Sequence, residues 1–161
     1  MSLKCLFGGL AAGILLWISA PVAGAQVIAT GYTNWDDVTL DLMEVERKGN
    51  VLTIGWAVRN EGEENQRVRF SLTRATARTF AVDQENGTKY FVLTDEAGVC
   101  LASECVFVDV GNPSEGIDEI IDGGRTRRFW MKLPAPPPAV TSLAIFFDDT
   151  EPLEDVPITD E

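Results

Sequence analysis

An all-β fold is what this sequence predicts, and three observations carry the prediction. Several stretches alternate apolar and polar side chains strictly. Between Val51 and Asn60, for example, Leu52, Ile54, Trp56 and Val58 oppose Thr53, Gly55, Ala57 and Arg59. Turn-forming residues interrupt these stretches about every 8 to 15 residues, close to the spacing of a sandwich of short strands. No window sustains the apolar period of an amphipathic helix. Together these point to seven or eight strands in an antiparallel, immunoglobulin-like β-sandwich. A small barrel is the other architecture the pattern allows.

The chain opens on a segment that stands apart from this fold. Met1 to Ala25 (MSLKCLFGGLAAGILLWISAPVAGA) has Lys4, then an apolar run from Cys5 to Ile18, then small residues ending in Ala23-Gly24-Ala25. A basic start, an apolar middle and an A-x-A end form a secretory signal peptide that is cleaved. The run of about 14 residues is short of the roughly 20 that a spanning helix needs, so no stable membrane span is expected after cleavage. Cys5 precedes the run, whereas a lipidated cysteine would sit at the cleavage site. The expected location is periplasmic or secreted.

Residues 26–37 (QVIATGYTNWDD) read as an N-terminal arm or an edge strand. The sandwich domain is expected over residues 38–147. Val38 to Leu42 alternates, Arg47-Lys48-Gly49-Asn50 makes a turn, Val51 to Asn60 follows, and Glu61 to Asn65 is a polar loop. Gln66 to Arg74 then sets Val68, Phe70 and Leu72 against Arg67, Arg69, Ser71 and Thr73. Thr79 to Asp83 and Lys89 to Thr94 flank Glu85-Asn86-Gly87-Thr88. Asn-Gly between two β-type runs signals a hairpin, because both residues accept positive φ. Asp95 to Gly98 is a second turn. Cys105 to Val110 reads as a strand, Gly111 to Gly116 as a loop, and Ile117 to Asp122 as either a helical turn or a strand. Arg125 to Leu133 places Phe129 and Met131 opposite Arg128 and Trp130. Pro134 to Pro138 is a corner that cannot pair inside a sheet. Thr141 to Phe147, with Leu143, Ile145 and Phe147 on one face, is expected to be the last strand. Residues 148–161 hold seven carboxylates and no cation. They are expected to form an extended acidic tail, docked in part by Leu153, Val156 and Ile158.

Composition narrows the chemistry. The 13 Lys and Arg face 25 Asp and Glu, a formal net charge of -12, and losing Lys4 makes the exported chain more acidic still. Such a surface repels phosphate backbones, so nucleic-acid binding is not expected. The sequence has no histidine. That removes the usual general base at neutral pH, the commonest zinc ligand, and the Ser-His and Cys-His pairs. Two cysteines remain after cleavage, Cys100 and Cys105, and an even count in an exported chain suggests a structural disulfide. A redox pair or half a metal site has no support from the spacing.

Several phrases of the sequence resemble a known group. They are Gly123-Gly124-Arg125, then Phe129-Trp130-Met131-Lys132-Leu133-Pro134-Ala135-Pro136-Pro137, then Val140-Thr141-Ser142-Leu143, then Glu151 to Ile158, together with Val38 to Leu42 and Trp56 to Gly62. With these the chain is similar to exported bacterial immunoglobulin-like domains of unknown function. That group includes domains of the secreted mycobacterial antigen type and modules that precede OmpA-like domains. The resemblance implies a sandwich over nearly all of the exported chain and brings no catalytic residues with it.

Candidate binding residues are few. Tyr32 and Trp35, beside Asn34, Asp36 and Asp37, could offer rings and hydrogen-bonding groups to a saccharide or peptide; the plainer reading is that Trp35 covers one end of the sandwich. Arg67 and Arg69 share a strand face and could grip a carboxylate; ordinary salt bridging is the plainer reading. Trp56 and Trp130 read as core or half-core side chains, with Phe129 and Met131 competing against Trp130 for the inward face. Asp36-Asp37, Asp148-Asp149 and Glu154-Asp155 lack the spacing of a calcium loop, so no metal is expected. The function implied is an exported envelope accessory or recognition domain, binding an envelope or extracellular protein without cofactor or catalysis. A carbohydrate- or small-ligand-binding module is the alternative, and a carboxylate-based hydrolase a more distant one.

Overall fold

The computed structural model describes residues 26–72, 77–107 and 115–161. The expected signal peptide lies outside the described residues. So do Arg74, the end of the strand expected over Cys105 to Val110, and most of the loop after it.

The described chain is all-β, with twelve strands and no helix. In order these are β1 (Ala29–Tyr32), β2 (Val38–Lys48), β3 (Val51–Asn60), β4 (Gln66–Ser71), β5 (Phe80–Asp83), β6 (Thr88–Tyr90), β7 (Val106–Phe107), β8 (Glu115–Ile121), β9 (Thr126–Pro134), β10 (Ser142–Phe146), β11 (Leu153–Pro157) and β12 (Thr159–Asp160). A five-stranded sheet runs β1-β2-β3-β9, with β12 added beside β2; a four-stranded sheet runs β11-β10-β5-β6; a three-stranded sheet runs β4-β8-β7. Every pairing is antiparallel except that of β12 with β2.

Twelve strands replace the seven or eight expected because several are too short to show alternation. Ile117 to Asp122 is strand, not helix. Thr141 to Phe147 is not the final strand, since β11 pairs with β10 and β12 with β2. Leu153 and Val156 are the buried residues of β11.

Alternation decides what each strand buries. Leu52, Ile54, Trp56 and Val58 of β3, Val68 and Phe70 of β4, Phe129, Met131 and Leu133 of β9, and Leu143 and Ile145 of β10 are all buried in one core. Trp56 is its hub. Its ring centroid lies 5.4 Å from that of Phe70, 5.0 Å from Phe147 and 5.8 Å from Phe129. These rings come from β3, β4 and β9 and from Phe147, the residue just after β10, so the five-stranded sheet packs its inner face against the other two, the layering of a β-sandwich.

The β5–β6 hairpin forms at Asn86-Gly87 as its sequence requires. Gly87 has φ 67°. The Asp83 carboxylate accepts the backbone N–H of Glu85 (3.1 Å) and of Asn86 (3.2 Å) and the Asn86 side-chain N–H (2.7 Å). Those bonds, led by the Asn86 side chain, hold the Asp83 carboxyl below the usual carboxylate range.

Arg47 of β2 ties the C-terminus down. Its guanidinium is only 6% exposed. Nη1 donates to the carbonyls of Pro137 (2.8 Å), Val140 (3.0 Å) and Pro136 (3.3 Å), while Nε and Nη2 reach the two Asp160 oxygens at 2.6 and 3.0 Å. One buried cation thus organises the proline corner and β12 together.

Candidate functional site

The outer face of the five-stranded sheet is built by register. Outward residues fall into rows across the strands: Tyr32 beside Thr39 and Arg59, Thr30 beside Asp41, Ala57 and Arg128, Glu44 beside Gly55 and Trp130, and Glu46 beside Thr53 and Lys132. The third row contains an irregularity. The β2–β3 register slips between Leu42 and Glu44, so Met43 and Glu44 together oppose Gly55. This is a β-bulge, a device that re-aims side chains near functional surfaces. A Cβ on Gly55 would stand 3.1 Å from Glu44 Oε2 and 3.2 Å from Glu44 Cβ. The bare position therefore gives the bulged strand room to lay Glu44 over β3.

In the same row stands Trp130, a residue 41% exposed. The Lys132 ammonium lies 5.8 Å from its ring centroid. The far edge of β9 is closed by a short loop. Ser103 Oγ accepts the Trp130 backbone N–H (2.9 Å), Ser103 N–H donates to the Trp130 carbonyl (2.9 Å), and Lys132 N–H donates to Leu101 (2.9 Å). Cys100 and Cys105 form the expected disulfide, with Cα atoms 6.1 Å apart, and it closes this same loop. The edge of β9 is thereby blunted while the face beside it stays open.

Toward the β1 side, Asp41 is buried between partners. It accepts the Thr30 hydroxyl (2.8 Å) and pairs with Arg59 Nε (2.9 Å), whose Nη1 also lies 3.1 Å from Glu61. Tyr32 stands beyond them, 73% exposed. The face thus carries two exposed rings, Glu44 laid over Gly55, and charges of both signs.

The four candidate residues from the sequence do not assemble. Tyr32 sits on this face. Trp35 does not join it, because its half-buried ring packs edge-on against Phe70 at 5.9 Å and 88°. Arg67 and Arg69 lie on the outer face of the three-stranded sheet, where both grip Asp118. Arg67 reaches it through two hydrogen bonds of 2.6 and 2.5 Å, and Arg69 Nε lies 3.4 Å away. The Arg67 hydrogen bond, joined by the charges of both arginines, keeps the Asp118 carboxyl below its ordinary range. The carboxylate these arginines hold is therefore internal.

Other polar groups lie away from this face. Arg127 bridges Glu104 (3.2 Å) and Glu119 (3.4 Å), and the hydrogen bond from Glu104 raises the Glu119 carboxyl, helped by burial. Asp148 is buried at the end of β10, accepts the Ser71 backbone N–H at 2.5 Å, and is raised chiefly by that burial. A cleft of about 270 Å³ beside the β8–β9 turn is lined by Ile120, Arg125 and Arg127, with Ile120 60% exposed. A second, of about 280 Å³, is polar and lined by Asp83, Glu85, Thr141 and Asp155.

Sequence reasoning left out two parts of the site. The outward phase of Trp130 was legible from its alternation with Phe129 and Met131, and only the preference of tryptophan for cores argued against it. Gly55 carried no local signal, because its role depends on a bulge in the neighbouring strand. No family model, no curated protein and no solved structure matches this chain.

Proposed function

We propose that this chain is an exported recognition domain, an immunoglobulin-like β-sandwich that binds a partner protein through the outer face of its five-stranded sheet and performs no catalysis. The observation that carries this reading is Trp130, left 41% exposed on that face in a row with Glu44. Tryptophan, tyrosine and arginine dominate the energetics of protein interfaces, and this face offers Trp130, Tyr32 and Arg128. An indole left open to water is apolar area that a partner can cover, and the Glu44 side chain lying over Gly55 sets a carboxylate in the same row. Export is supported by the signal-peptide pattern of Met1 to Ala25 and by the Cys100–Cys105 bridge, which suits an oxidising compartment.

Photo-crosslinking tests the reading. A photoreactive residue in place of Trp130 should capture a defined envelope partner, whereas the same residue at Lys89, on the four-stranded sheet, should not. Gly55→Val should abolish the capture by displacing Glu44 from its place over β3 and disturbing the row it shares with Trp130, at a stability cost of about 1–2 kcal/mol. Equal capture from both positions, or capture that survives Gly55→Val in a folded protein, would refute it.

A further inference from the structure

We infer that the partner presents an extended acidic segment to β9, with carboxylates over Arg128 and Lys132 and an apolar side chain seated on Trp130. This rests on recognition through the sheet face proposed above. Charge points to acidic groups. Most of the described lysines and arginines lie within 4.0 Å of a carboxylate, as a chain of net charge -12 should arrange. Arg128 and Lys132 are two of the four without one among the described residues, the others being Lys89 and Arg125, although carboxylates outnumber cations about two to one; of the four, only these two flank an exposed indole on one strand. Cations left over in an acidic protein, on an exposed strand face beside an exposed indole, are complementary to acids from elsewhere.

Strand spacing points to an extended segment. Arg128, Trp130 and Lys132 project from alternate positions of one strand, so consecutive outward side chains are about 6.6–6.8 Å apart. An extended polypeptide repeats its own same-side residues at that interval. Acids at its positions i and i+4 therefore come into register with Arg128 and Lys132, and residue i+2 lies over the indole. Glu44, in the same row as Trp130, disfavours an acid at the middle position and leaves it to an apolar group. The blunted edge of β9 rules out strand addition there, so the segment lies on the face. At about 0.15 M salt the Debye length is about 8 Å, so the distant acidic surface is largely screened while these two contacts are not.

The test uses the exported chain and three probes: a peptide with the core Asp-Thr-Phe-Thr-Asp, its counterpart Lys-Thr-Phe-Thr-Lys, and an oligogalacturonate. Binding is followed by the Trp130 indole N–H resonance. The acidic peptide should shift that resonance saturably, and the Arg128→Gln/Lys132→Gln double variant should weaken it about tenfold, while Lys89→Gln leaves it unchanged. Preference for the basic peptide, indifference to the double variant, or a response to oligogalacturonate alone would overturn the inference. If no probe binds but crosslinking from position 130 succeeds, the ligand class is wrong and the face stands. If crosslinking fails as well, the face itself is wrong.

Discussion

Arg47→Met probes how the C-terminal strands are held. Methionine keeps most of the aliphatic stem, so the variant removes chiefly the donors. The bidentate contact to Asp160 is left out of this sum as small, because that carboxylate is 66% exposed and screened by water. What remains is Nη1 with the carbonyls of Pro137, Val140 and Pro136. At about 1 kcal/mol net for each bond, the loss is about 3 kcal/mol. For a domain of this size that lowers Tm by roughly 10 °C. Urea unfolding followed by tryptophan fluorescence measures it, and an unchanged slope with urea would show that the domain still unfolds as one unit. A loss below about 1 kcal/mol would refute the reasoning, since the carbonyls would then be satisfied without Arg47. Acid should loosen the same latch slightly. The Asp160 carboxyl is held low by its Arg47 hydrogen bond, so its contribution is present above the ordinary carboxyl value and lost as pH falls through the lower folded one.

Two further substitutions extend the test. Asp148→Asn should become more stable relative to the wild type as pH rises from about 4 to 7, because burial raises the folded Asp148 carboxyl and its contribution fades as pH climbs through that raised value; parallel stability-against-pH curves would contradict this. Replacing Cys100 and Cys105 with serine should cost about 2 kcal/mol, the figure for so short a loop, and should alter the Trp130 environment through loss of its Ser103 contacts. An unchanged Trp130 resonance would show that the loop holds its place without the bridge.

Much of the fold was legible because period-two alternation is local. Phe129 and Met131 are inside and Arg128 and Trp130 outside, as their strand alone dictates. Asn86-Gly87 announced its hairpin for the same reason. The site was less legible. Tyr32 and Trp35 are near neighbours in sequence, yet one stands on the sheet face and the other packs on Phe70, because the chain leaves β1 between them. Arg67 and Arg69 looked available until Asp118, some fifty residues away, was placed beside them by β8.

By itself the sequence determined which side of most strands is wet, where several turns fall and which cysteines join, since each depends on residues a few positions apart. Only the tertiary structure decided that β1 and β12 share one edge of β2, that the Met43 bulge meets Gly55, and that Arg47 is buried among carbonyls about ninety residues away. Those outcomes depend on which distant strands become neighbours. Strand register is a property of two segments at once, and neither segment carries it alone.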